Sequence, residues 1–593
     1  MFFPRRTSVL VLAAGIVFCS GPGLAAGETG EAQASGRPAE QAKHLYSQGM
    51  TALEKGDLER ARSLFEKVVG LAPRSPEGHN SLGWVLFQEG KADAALLEFR
   101  AALKLKPDFA EARINLANGL AAQQDLAEAE TEAREALRLA PKDSETHRTL
   151  GRVLSFRGDL PAAVSEFETA ASLEPKRPDL HDDLGSLLMQ AGRADAAVAE
   201  FSRALELKPD YASALLHLGV IRWQDHALAE AHGLLARAVQ AKPGSAEAHY
   251  YYGRVLEEEK QSGLAIQEFR QAASLKPDFA DAQQSLGLES QRAGNTDEAL
   301  AAFRALVRLR PDSADAYNNL GLALLQAGNA AESVPEFQSA LRLRPEDPGY
   351  AENLGTAYLQ RADFASAENE FRAALRLAPD DATAHYDLGL SLKFKDRLPD
   401  AIAEFRKASE LAPEQPDIHY TLGVTLWQKG DFPGSESELR AATAAKPDYA
   451  EAYYTLGTVL KQEGKPSDAV LALRKAIDIE PGLVGAHTNL ASVLRQQGDT
   501  LAADQESRRA QELFKESNRV EAATFNTNSG KRLLRAGDLD GAIAQFRSAI
   551  RLAPDYAPAH EKLGEALAQK GEKAEADEEL QKAAQLAGTK QAE

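Results

Sequence analysis

The chain reads "KPDYA" at Lys208–Ala212 and again at Lys446–Ala450. Variants stand at Lys106–Ala110 and Lys276–Ala280 ("KPDFA") and at Ala553–Ala557 ("APDYA"). The proline measures the spacing. It recurs at 73, 107, 141, 175, 209, 243, 277, 311, 345, 379, 413, 447 and 481, always 34 residues apart. A second comb sits 24 residues ahead, from Gly49, Gly83, Ala117 and Gly151 to Gly457 and Ala491. A third is alanine, at Ala61, Ala95, Ala129, Ala163, Ala197 and onward. A fixed period of this size decides the fold before any local propensity is weighed.

With Ala42 as position 1, fourteen unbroken repeats run to Ser517. Residues 518–522 are an insertion, and two further repeats occupy 523–556 and 557–590. Across the sixteen, position 8 is Gly fourteen times, position 20 is Ala fourteen times and position 27 is Ala fourteen times. Position 24 is Phe ten times and position 32 is Pro fourteen times. Apolar positions 4, 7, 8 and 11, then 20, 24 and 27, follow helical spacing twice per repeat. Glycine at position 15, as in Gln88–Lys91 ("QEGK"), marks the turn between the two helices. Small residues at 8, 20 and 27 let the two backbones approach, and Phe at 24 fills what remains. Truncating that Phe is expected to cost roughly 3–5 kcal/mol. Proline at 32 stops the second helix, and the Asp or Ser after it is a candidate cap for the next.

Leu-Gly at 7–8, Ala at 20, Phe at 24, Ala at 27 and Pro at 32 resemble the tetratricopeptide repeat (TPR) over about 42–590. The resemblance implies an all-α, right-handed superhelical solenoid of about sixteen helix-turn-helix repeats. Position 4 departs from the family's Trp and is usually His. Repeat 14 departs again, with Lys515 where the proline belongs, so its second helix is expected to run on toward Phe525. Residues 26–41 read as a flexible linker. The polar segment at the end of the second added repeat suits a capping helix.

The first 25 residues carry Arg5 and Arg6, an apolar run from Val9 to Phe18 and small residues around Ala25. That is the pattern of a cleaved secretory signal, too short to span a bilayer. Export to the periplasm or beyond follows. Anchoring through Cys19 is disfavoured because Phe18 precedes it where a lipobox wants a small residue. Cys19 is the only cysteine, so the mature chain needs neither disulfides nor a thiolate metal site. A formal charge of −20 argues against nucleic acid as a partner.

Eight histidines share position 4: His79, His147, His181, His249, His385, His419, His487 and His560. One per repeat, they cannot converge on a single ion, so they read as packed, hydrogen-bonded residues and no metal is expected. No phosphate-binding glycine loop, nucleophile elbow or zinc motif occurs, and neither a cofactor nor enzymatic activity is expected. The resemblance implies that the first helices line a concave groove and that positions 2, 5, 6, 9, 12 and 13 project into it. Trp84, Trp223 and Trp427 fall there, as do Tyr250, Tyr386, Tyr420 and Tyr454, with Phe394 at position 13. Large aromatics on an open face suit anchoring of a protein partner. Acids crowd position 2, which argues against the Lys/Asn clamp that TPR domains use on chaperone tails. The expected function is a protein-binding scaffold of the bacterial cell envelope. A glycan-related periplasmic scaffold, and a non-catalytic relative of the TPR part of the O-GlcNAc transferases, are the alternatives.

Overall fold

The computed structural model describes residues 36–589. Residues 1–25, read as a signal, with Cys19, and the part of the expected linker up to residue 35 lie outside the described residues. The first helix begins at Gly36, inside the stretch read as linker. Among the described residues there are thirty-one α-helices and no strand. They fall into two compact units, one through Leu309 and one from Arg310 onward. Each unit is a stack of helical hairpins. Within each unit the first helices of successive repeats touch one another more than the second helices do, so each stack bends toward its first helices.

The hairpin follows from four columns of the repeat. At position 8 a Cβ would strike the phenylalanine of position 24. On Gly389 it would lie 2.6 Å from Phe405 Cε1, and on Gly321 2.6 Å from Phe337 Cε1. The ten phenylalanines, Phe65 to Phe546, are fully buried. The two repeats with Ala at position 8, Ala117 and Ala491, carry Ala133 and Ser507 at position 24 instead. The column thus trades one methyl for one ring.

Position 15 takes a left-handed backbone in every repeat. Glycine supplies it in eleven, from Gly56 to Gly571. Gln124, His226, Lys260, Ala362 and Asp396 adopt it at a steric cost. Where position 16 is Asp, it caps the second helix. Asp57, Asp363 and Asp431 accept from the backbone N–H three residues on.

The capping role assigned to the residue after the proline needs correction. The cap belongs to position 34 when that residue is Ser or Asp, as with Ser75, Ser245, Ser313 and Asp381. In "KPDYA" position 34 is aromatic, and Tyr211 and Tyr449 cap nothing. Their rings lie instead under the lysine that opens the phrase. Lys208 Nζ is 5.8 Å from the Tyr211 centroid, and Lys446 Nζ is 4.7 Å from that of Tyr449. Lys106 over Phe109 and Lys276 over Phe279 repeat the contact. A cation held on a ring face contributes about 0.5–1 kcal/mol at such exposed sites.

The position-4 histidines tie three elements together. His385 Nδ1 meets Glu404 Oε2 at 2.6 Å and its Nε2 meets the Pro379 carbonyl at 3.0 Å. The other seven do the same with the glutamate nineteen residues on and the proline six residues back. Arg113 substitutes in repeat 3, reaching Glu132 and the Pro107 carbonyl. Where position 4 is Leu45 or Leu215, position 23 is Leu64 or Leu234.

The insertion 518–522 is helical. One 36-residue helix, Thr500–Arg535, joins the second helix of repeat 14 to the first of repeat 15. The closing segment forms the helix Lys573–Thr589.

Candidate functional site: the inner face of the first helices

Positions 5, 6, 9, 12 and 13 meet across neighbouring repeats, and the meeting has a fixed spacing. Position 5 of one first helix lies beside position 6 of the next, 35 residues on. In the first unit Tyr46 Oη sits 3.1 Å from Ser81 Oγ, and Asn115 donates to Asn80 Oδ1 at 3.0 Å. Arg148 donates to Asp183 at 2.6 Å, and His217 Nδ1 sits 3.0 Å from Asp182. In the second unit Asn353 donates to Asn318 at 2.8 Å and Tyr386 Oη sits 3.1 Å from Thr421 Oγ1. Position 12 makes the parallel rung with position 13. Trp223 Nε1 donates to Glu258, and Trp427 Nε1 donates to Gln462, both at 2.7 Å. Each neutral rung is worth about 0.5–1.5 kcal/mol.

These rungs set how much of each aromatic is free. Phe394 is the one exposed member of the eight sequence candidates, at 58 %, and it stacks on Phe364 at the rim of the stack, ring centroids 4.9 Å apart. The other seven are half-buried. Trp84 packs against the core of the first unit. Trp223 takes Arg254 over its ring at 5.2 Å, and Tyr250 packs on Phe279 at 4.9 Å. In the second unit Tyr420, Trp427 and Tyr454 pack against one core cluster, while Tyr386 packs against another beside Phe405. The open-face placement is therefore corrected: seven of the eight rings are half-buried, and the polar ends of Trp223, Tyr386 and Trp427 are held by the next repeat.

The position-2 acids are largely committed as well. Asp315 accepts from Arg344 and Tyr350, and Asp417 accepts from Tyr449. One rung is unlike the rest. Glu352 and Asp387 occupy positions 5 and 6 of adjacent repeats, acid opposite acid. Burial pushes the Glu352 carboxyl up to about 7, with Asp381, Asp387 and Asp347 adding to the shift. Burial, then Asp381, raises Asp387 to about 6.

The first unit also holds a buried charged cluster apart from its aromatic residues. Arg148, Arg152, Glu145, Asp182 and Asp183 are all buried on first helices. Arg148 bridges Asp183 and Asp179, and Arg177 reaches Glu145 at 2.6 Å. The first helices of repeats 3 to 5 are buried on nearly every side. An Arg and an Asp 35 residues apart was the available signal. Among the described residues no group of three or more His, Cys, Asp or Glu could hold a metal ion. No described helix is long and apolar enough to cross a membrane.

Eight stretches match one tetratricopeptide repeat model: 46–108, 80–144, 148–212, 183–246, 218–280, 285–348, 353–416 and 420–484. Residues 530–571 match a TPR repeat model, and 557–590 a further tetratricopeptide repeat model. Among solved structures the chain is similar to the APC/C hetero-tetramer Cut9-Hcn1, at 14% identity over 77% of this chain and 97% of that one, TM-score 0.34. It is similar to yeast Tom70 at 18% identity, over 74% and 99%, TM-score 0.30. Residues 41 to the end of MamA from Desulfovibrio magneticus RS-1 are similar at 25% identity, over 29% and 96%, TM-score 0.28. No curated protein sequence matches the chain.

Proposed function

Because this chain belongs to the tetratricopeptide repeat family, we propose that it is a non-enzymatic scaffold whose first-helix face binds segments of partner proteins. The main docking stretch is Tyr386–Tyr454. What carries this reading is the pre-set state of the aromatics there. Tyr386 and Trp427 are each fixed at the polar end by the next repeat while the ring stays partly accessible. A ring already held in place loses little freedom on binding, which favours affinity. Trp223, held by Glu258 of the next repeat, and Tyr250, packed on Phe279, form a second station in the first unit. On the reading of residues 1–25 as a cleaved signal, we place the protein outside the cytoplasm.

The test compares the wild-type chain with a Tyr420→Ala/Trp427→Ala double variant in proximity labelling and pull-down from the native cell. Loss of a specific partner at unchanged helicity supports the proposal. An identical partner set overturns it, and retention of oligosaccharide by the immobilised chain in place of protein would favour a glycan scaffold.

A further inference from the structure

Position 3 of a first helix is where a repeat meets its predecessor. A Cβ on Gly78 would lie 3.1 Å from Val68 Cγ1 of the preceding second helix. Position 3 is buried in every repeat from Gly78 to Ala486, and again at Ala559. His44, in the first repeat, has no predecessor and is exposed. Phe525 is the other exception. It occupies position 3 of repeat 15 and is 67% exposed.

The cause lies in the helix Thr500–Arg535. In an ordinary junction the turn at position 32 folds the next first helix back on the second helix, and the two pack together. Here Lys515 replaces the proline and residues 518–522 extend the helix. The two halves lie end to end on one axis and cannot reach each other. The second helix of repeat 14 is left without a follower, and the first helix of repeat 15 without a predecessor. Phe514, 59% exposed, lies eleven residues before Phe525. That is about three helical turns, so both rings share a face.

The two open faces complement each other by the rule that every other junction obeys. We propose that a second copy of the chain closes them. Two such helices pair antiparallel about a two-fold axis, the repeat-14 half of one against the repeat-15 half of the other. The ordinary register sets position 27 against position 3, so Ala510 receives the partner's Phe525. The axis then passes between Ser517 and Asn518, neither of which is charged. The pairing makes two junction-type contacts per dimer, related by the two-fold axis as an isologous interface requires. It is independent of partner binding by the first-helix face.

Sedimentation equilibrium of the purified full chain tests it. A reversible dimer is expected. Phe525→Asp is expected to raise its dissociation constant on the order of a hundredfold, since two buried rings are lost per dimer. The ring is exposed within one chain, so helicity by circular dichroism is expected to stay unchanged. A second variant removes residues 518–522 and carries Lys515→Pro, which restores the ordinary turn within one chain. It is expected to be monomeric. A wild-type chain that stays monomeric at all concentrations overturns the proposal. So does a dimer that Phe525→Asp leaves intact, or one that survives restoration of the turn.

Discussion

Gly389→Ala asks how tightly the repeat is built. Alanine in a helix is favoured over glycine by about 1 kcal/mol. The added methyl would lie 2.6 Å from Phe405 Cε1 and 2.7 Å from Cδ1, too close for any real contact. Overpacking of this kind costs about 1–3 kcal/mol. The clash wins, and the variant is expected to lose about 1 kcal/mol in spite of the propensity gain. Phe405→Ala alone is expected to cost about 3–5 kcal/mol. In that background Gly389→Ala meets no ring and regains its helical advantage, so the coupling between the two sites is about 2 kcal/mol. A long repeat array does not unfold as one unit, so hydrogen exchange of the amides of repeat 11, residues 382–415, is the appropriate readout. Equal effects of Gly389→Ala in both backgrounds would refute the steric account. The pairs Ala117/Ala133 and Ala491/Ser507 show the same trade made within the chain.

His385→Leu leaves Glu404 and the Pro379 carbonyl without their partner and is expected to cost about 1–3 kcal/mol. Adding Glu404→Leu is expected to recover most of it, as in the Leu215/Leu234 repeat, and a double-mutant cycle checks this. Ala362 sits in the left-handed region at φ 58°. Ala362→Gly is expected to stabilise repeat 10 by about 1 kcal/mol, read by hydrogen exchange of the repeat 10 amides. The raised pKa of Glu352 means that the folded state binds its proton more tightly than the unfolded chain does. Its contribution to stability therefore falls as pH rises from the ordinary carboxylate range to about 7. Glu352→Gln is expected to stabilise the protein at pH 8, by about 1 kcal/mol after solvent screening, and to have no effect near pH 4. Protection of the repeat 10 amides against hydrogen exchange, compared between variant and wild type at the two pH values, decides it.

The period, the two helices per repeat, the turn glycines and the Gly/Phe contact were all legible in the sequence, because each is local and recurs in most of the sixteen repeats. The histidines were legible as structural residues for the same reason: one per repeat excludes convergence. The capping role in "KPDYA" was misplaced by one position, since composition alone does not tell an Asp at position 33 from one at 34. Only the tertiary structure decided what the inner face offers. Its rungs join residues 35 apart on different repeats, so Trp427 looks free in sequence but is tied to Gln462 in space. The burial of Arg148 and Asp183 arises where first helices of adjacent repeats meet, a contact between residues 35 apart that no single repeat contains. The exposure of Phe525 depends on a helix that fails to turn, which changes what stands opposite a residue without changing the residue itself.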